Sequence, residues 1–216
     1  VAAVSRGNFA IGTAYSKTES AQAALFGLVL VGDALTVPLL AGIAVSFVGV
    51  LLLSLSVQSR AAGSGRWLDS RVLPLGLLAA AGFALSAVCF RGAALALTSS
   101  SGLAPGAAAA LTLAVVLTLQ TLLQGAYLLG VEAGQLRTVA RHWRPGLLVG
   151  LTGMLASVCW FTAMTLHSAA AVRAVGQVEM LFTALTSVYL FRERLSIQAL
   201  AGMLLVVSGI LLLLID

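Results

Sequence analysis

Residues 41–55 read AGIAVSFVGVLLLSL, and residues 201–215 read AGMLLVVSGILLLLI. Neither stretch carries a charge, and their only hydroxyls are Ser46, Ser54 and Ser208. A membrane-barrel strand alternates apolar and polar residues over about ten positions. Here the apolar run is continuous, so both stretches read as helices. With their flanks they reach the ~20 residues that span a bilayer. The two also share a register. At an offset of 160 positions, Ala41-Gly42 falls on Ala201-Gly202 and Gly49 on Gly209. Working outward, Leu35-Thr36 falls on Leu195-Ser196, Asp33 on Glu193 and Glu19 on Glu179, without a gap. Leucine matches between apolar helices are cheap; aligned acids and aligned glycines are not. The pattern is an internal repeat.

The remainder of the 216 residues agrees with a membrane protein. Hydrophobic residues make up 60% and charged residues 9%, with a mean hydropathy of +1.07. A soluble domain is roughly half apolar and about a quarter charged. This chain has too few polar side chains to cover a water-facing globule or to stay disordered. Seven apolar stretches follow one another, at about 8–31, 35–56, 73–98, 105–130, 145–166, 169–191 and 195–215. The expected fold is an all-α polytopic membrane helix bundle. Pro38, Pro74, Pro105 and Pro145 each fall near the start of a stretch, where the missing N–H would be unpaired anyway. Cys89 and Cys159 lie inside apolar stretches and read as packed core thiols, with neither a disulfide framework nor zinc spacing. No His-Glu-x-x-His, no phosphate-binding glycine loop and no Gly-x-Ser-x-Gly occurs. No enzyme activity, cofactor or metal site is therefore expected. The net charge of +5 comes from eleven Arg and one Lys spread thinly, mostly at helix ends, which does not point to nucleic acid.

Counting stretches gives the repeat unit. The five stretches within 73–216 end in the second copy of the repeated hairpin. Residues 1–56 then read as the last two helices of a first repeat, 57–72 as a cytoplasmic linker and 73–216 as a complete second repeat. Three further helices are expected ahead of Val1, making seven visible of ten. Five is odd, so the second copy is inverted relative to the first. Inverted repeats occur in transporters whose substrate site lies near the bilayer midplane. Span parity places Arg6, Arg60, Arg66, Arg71, Arg137, Arg141, Arg144, Arg192 and Arg194 on one side, and only Arg91 and Arg173 on the other. The positive-inside rule puts the larger group in the cytoplasm and the C-terminus outside.

The segment Val31-Gly32-Asp33-Ala34-Leu35-Thr36, followed by Ala41-Gly42 and Gly49, resembles the end of an EamA domain. Leu190-Phe191-Arg192-Glu193-Arg194-Leu195-Ser196, followed by Ala201-Gly202 and Gly209, resembles a second. The resemblance implies the ten-helix branch of the drug/metabolite transporter superfamily. Its members are secondary transporters, usually exporters of small metabolites, amino acids or drugs across the inner or plasma membrane. It also implies a cytoplasmic C-terminus, opposite to the reading of the basic residues.

Charged side chains cost about 2.5–3.5 kcal/mol at a spanning-helix centre, so each needs a partner or an aqueous cavity. Tyr15, Glu19 and Gln22 form a stripe at i, i+4, i+7. Lys17 is two residues from Glu19 and points about 200° away. Arg173 and Gln177 share one helix face; Glu179, Thr183 and Thr186 share another. Glu19 and Glu179 would flank a central cavity, where a carboxyl exchanges a proton during a transport cycle. The alternative is a static salt bridge, such as Lys17 with Glu179. Arg91 reads either as a fork for a substrate carboxylate or phosphate or as a side chain snorkelling to the interface. Gln120, Gln124 and Tyr127 make a neutral stripe that suits substrate hydrogen bonding or helix packing. Asp33 and Glu193 read as structural, each poised before a helix start to meet free N–H groups. Gly42, Gly49, Gly202 and Gly209 read as smooth packing faces, and Gly146-Leu-Leu-Val-Gly150 as a small-xxx-small packing pattern. His142 reads as solvated, and His167 as solvated or as a pH-sensitive gate. The expected function is alternating-access export of a small molecule, with protons as the coupling ion and the lipid bilayer as the surrounding medium. The competing expectation is a non-transporting seven-helix scaffold or receptor-like protein.

Overall fold

The computed structural model describes residues 18–58, 72–191 and 196–215. Among them the chain is helical, with no strand. Helix α1 spans Glu19–Leu30, α2 Val37–Gln58, α3 Val72–Ser101, α4 Pro105–Val131 and α5 Ala133–Arg141. Then come α6 at Trp143–Leu166, α7 at Ala169–Val175, a 3-10 turn at Gly176–Val178, α8 at Glu179–Phe191 and α9 at Ile197–Leu213. Pro74–Ser101, Pro105–Val131 and Trp143–Leu166 are long and apolar enough to cross a membrane. At 1.5 Å per residue, α6 alone extends about 36 Å, beyond a hydrocarbon core of ~30 Å. Glu19–Leu30, Val37–Leu53 and Ile197–Leu213 are shorter apolar helices. Polytopic helical architecture is thus what the sequence encodes.

The helix ends follow from local chemistry. Proline opens α4 at Pro105; Pro38, Pro74 and Pro145 fall within the first three positions of their helices. Helix α1 closes where the N–H groups of Val31 and Asp33 both donate to the Gly27 carbonyl, at 3.0 and 3.1 Å. Gly32 makes this closure possible at φ +79°, a left-handed conformation open mainly to glycine. At the start of α2, Thr36 Oγ1 accepts the Leu39 N–H at 3.2 Å. At the start of α9, Ser196 Oγ accepts the Ala199 N–H at 3.1 Å. These hydroxyls hold the capping position that the sequence suggested for Asp33 and Glu193. A short side chain next to the first turn reaches the third N–H; Asp33 sits three residues earlier, with its own N–H committed to closing α1. Glu193 lies outside the described residues.

The two capping sites are repeat mates, and so are the helices they start. The chain packs as two compact units, Val1–Cys89 with Ser168–Asp216, and Phe90–His167. In the first, α2 and α9 run antiparallel in backbone contact. A Cβ added to Gly42 would lie 2.9 Å from the Gly209 carbonyl oxygen, and one on Gly209 2.7 Å from the Gly42 oxygen. A Cβ on Gly49 would lie 2.7 Å from the Gly202 oxygen, and one on Gly202 2.8 Å from the Gly49 oxygen. Only glycine allows this approach. Val50, Leu53, Ala199 and Val206 fill the core beside the seam, with Met180, Leu181, Met203 and Ile210 against them. In the second unit, Phe90, Ala94, Ala109 and Leu113 form a core with Val116, Val158 and Phe161. The rings of Phe90 and Phe161 stack at 3.7 Å.

Several expectations change. The stretch at 169–191 is not one helix: Gly176, weakest of the non-proline helix formers, opens the 3-10 turn that divides it. The basic connection after α4 contains helix α5. Cys89 and Cys159 are exposed rather than packed. Gly146 and Gly150 have nothing within 4 Å of an added Cβ, so their spacing does not mark a packed face among the described residues. The boundary between the two compact units falls inside α3.

Candidate functional site

Helices α1 and α7 pack through small residues. The buried positions of α1 are Ser20, Ala23, Ala24 and Gly27, and those of α7 are Ala169, Ala170 and Ala174. Without large side chains between them, polar groups on the two helices meet directly. Arg173 Nη1 lies 3.8 Å from Glu19 Oε1, with both side chains largely buried at 18% and 16% exposure. One turn further, Gln177 Nε2 donates to Ser20 Oγ at 3.2 Å. Ser20 is 1% exposed and Gln177 2%. The Gln177 Oε1 is buried and accepts no hydrogen bond. At 3.8 Å and an effective dielectric of 20, the Glu19–Arg173 attraction is about 4 kcal/mol before desolvation is subtracted.

The helix break serves this cluster. Gln177 is the middle residue of the 3-10 turn. Turns of this kind inside a longer helix mark hinges and functional positions. Discontinuous helices form substrate and ion sites in transporters. Gln22 extends the polar edge of α1, donating to Thr18 Oγ1 at 3.1 Å and to the Leu77 carbonyl at 3.5 Å.

Of the residues read from sequence, the structure brings together Glu19, Arg173 and Gln177. It adds Ser20, which the stripe at i, i+4, i+7 from Tyr15 passed over. The signal was present in the small residues at 20, 23, 24 and 27, which mark the packed face of α1. Tyr15 and Lys17 lie outside the described residues, so the suggested Lys17–Glu179 pair does too. Glu179 opens α8 in an exposed position. Gln120, Gln124 and Tyr127 are exposed on α4.

Arg91, in the other unit, has a specific place. Its Nη1 donates to the carbonyls of Met164, Thr165 and His167 at 2.6, 3.2 and 2.5 Å. These belong to the C-terminal end of α6, where carbonyls lack helical partners and the helix dipole favours a cation. In this arrangement Arg91 closes the end of α6. His167 contributes its carbonyl to that closure. His142 lies exposed on the Thr138 carbonyl at 2.9 Å. Among the described residues no cluster of three or more His, Cys, Asp or Glu could hold a metal ion.

No match is found among curated proteins. The sequence profile of the EamA-like transporter family matches residues 70–215, which includes α3 to α9, the Arg91 closure, Arg173 and Gln177, and the second copy of the glycine pair. With an apolar helical bundle and that match over more than half its length, the chain belongs to the EamA-like transporter family and is an integral membrane protein.

Proposed function

We propose that this chain is part of a secondary transporter that exports a small polar metabolite, amino acid or drug across the plasma membrane by alternating access of two inverted five-helix repeats. The observation that carries the reading is the order of the glycine contacts between α2 and α9. Gly42 and Gly202 are repeat mates, as are Gly49 and Gly209. The contacts run Gly42 to Gly209 and Gly49 to Gly202. That exchange is the signature of an isologous interface, and it supports an inverted repeat within one chain. The buried Glu19, Ser20, Arg173 and Gln177 supply the polar groups that a midplane site requires. Protons are the proposed coupling ion, with Glu19 as the carboxyl that exchanges them.

The test is electrogenic transport by the full-length protein reconstituted in vesicles, recorded against a panel of amino acids, amines and organic anions under imposed pH gradients. A current for one chemical class, reduced at least tenfold by Glu19→Gln and by Gln177→Leu in folded protein, is expected. If no solute moves, with or without a gradient, the scaffold reading takes its place.

A further inference from the structure

The connection between the two long spans α4 and α6 holds a feature that transport does not explain. Helix α5 has nine residues, AGQLRTVAR, and its depth in the membrane is constrained at both ends. Helix α4 ends at Val131 and α6 begins at Trp143, and both are membrane-crossing in length and composition. Nine residues extend only about 14 Å, too short to cross, and consecutive spans return the chain to the same surface. Helix α5 is therefore held at the headgroup layer.

Its sequence suits that depth. By helical register Leu136, Val139 and Ala140 share one face, and Arg137 and Arg141 share another. Every described side chain from Thr138 to Pro145 is exposed, with Val139 at 64% and Trp143 at 58%. The Arg144 guanidinium lies over the Trp143 ring, 5.6 Å from its centroid. An indole with a cation on its face is an anchor for the bilayer interface. The only acid between Phe90 and His167 is Glu132, at the opposite end of α5, where its carboxylate accepts a hydrogen bond from Gln135. The far end of the helix thus carries Arg141, followed by Arg144 in the first turn of α6, with no acid beside them.

We infer that α5 is an in-plane helix and that Arg141 at its end, with Arg144 in the first turn of α6, binds anionic phospholipid headgroups. A short amphipathic helix with arginines on its polar side and apolar residues on the other lies in the interface plane and selects anionic lipid. The phosphate-bearing headgroups are already at this depth, whereas a soluble partner would have to enter the layer to reach the same face. The inference rests on the membrane assignment and the geometry of α5. It stands or falls independently of transport.

The full-length protein in vesicles provides the test, using quenching of Trp143 by dibrominated lipid. The Trp143 signal is the difference between the protein and W143F. At equal mole fraction in unbrominated phosphatidylcholine, dibrominated phosphatidylglycerol is expected to be selected over dibrominated phosphatidylcholine at least tenfold in low salt. R141Q should lower that selection about fivefold, the effect of one arginine near an anionic surface, and R141K should restore it. Raising the salt to ~0.5 M KCl should abolish most of it by screening. Equal quenching by the two lipids, or a selection indifferent to both R141Q and salt, would overturn the inference. So would specific displacement by inorganic phosphate at matched ionic strength, since the site would then serve a soluble anion. Should R141Q fail to fold, the salt titration of the unsubstituted protein decides alone.

Discussion

The α2–α9 seam makes a prediction in which one residue type gives opposite results at different places. Consider Gly49→Ala. Its new Cβ would stand 2.7 Å from the Gly202 carbonyl oxygen and 2.7 Å from the Val206 nitrogen. Comfortable non-bonded separation is about 3.5–4.0 Å, so the helices must part by close to 1 Å. Both obstacles are backbone, so no rotamer change relieves them. Over-packing costs about 1–3 kcal/mol, and backbone opposition places this site near the top of that range. Alanine recovers about 1 kcal/mol of helix preference over glycine. The net expectation is a loss of about 2 kcal/mol. Gly202→Ala should lose a similar amount, and the double variant less than the sum, because helices parted for one Cβ accommodate the other. Gly150→Ala meets nothing within 4 Å and should be neutral or stabilising by up to ~1 kcal/mol. Reversible unfolding by sodium dodecyl sulfate, read by circular dichroism in mixed micelles, measures all four. The reasoning fails if Gly150→Ala destabilises as much as Gly49→Ala, or if the double variant is additive.

Three further outcomes follow from the polar contacts. Arg91→Ala removes a charged donor from the end of α6 and should destabilise by about 2 kcal/mol, with faster hydrogen exchange at the α6–α7 junction. Arg91→Lys should recover much of the loss, since the three carbonyls are served from one nitrogen and an ammonium carries three donors. Glu19→Met and Arg173→Met should each destabilise, and the double variant should lose less than the sum of the two; additive losses in the same unfolding assay would dismiss the pair as a coupled unit. Gln177→Leu with Ser20→Ala removes both partners of a buried hydrogen bond, which is nearly neutral for stability, yet should abolish solute flux. Flux at parental level in that stable variant would make the contact helix packing alone.

The parts of this structure that were legible in the sequence are those set by periodic or local chemistry. Continuous apolar runs gave the spans, and proline at 38, 74, 105 and 145 marked their starts. Glycines at 42, 49, 202 and 209 announced their seam because two aligned pairs at one offset have few explanations besides close packing. Gly146 and Gly150 show the converse: a small-xxx-small spacing states what a helix permits, and only the neighbour decides whether the permission is used. The cluster of Glu19, Ser20, Arg173 and Gln177 was half visible. Glu19, Arg173 and Gln177 stood out for being polar in an apolar setting and Ser20 did not, because their pairing depends on how α1 meets α7. The contact of Arg91 with the end of α6 was not legible for the same reason, since the carbonyls it meets lie more than seventy positions away. Helix α5 was hidden by its charge: a run with arginines at 137, 141 and 144 reads as a loop unless Leu136, Val139 and Ala140 are placed on a helix first.

The exchanged glycine contacts also constrain how the two hairpins can move. The contacts Gly42 on Gly209 and Gly49 on Gly202 exchange under a pseudo-two-fold passing between the helices at the level of Ser46 and Val206, both fully buried. Four backbone contacts shorter than any Cβ tolerates leave no room for these helices to slide or rotate without losing the fit. A packed interface of this kind holds one arrangement rather than deforming continuously. The division at Gly176–Val178 is different. There the helix tightens into a 3-10 turn, Gln177 Oε1 accepts no hydrogen bond from the described residues, and the contact with α1 runs through Gln177 and Ser20. If the protein changes access by rocking one repeat on the other, the α2–α9 seam is the part that stays together. The motion then has to be absorbed at the 3-10 turn, where bending breaks few bonds and the polar groups stand ready to exchange partners.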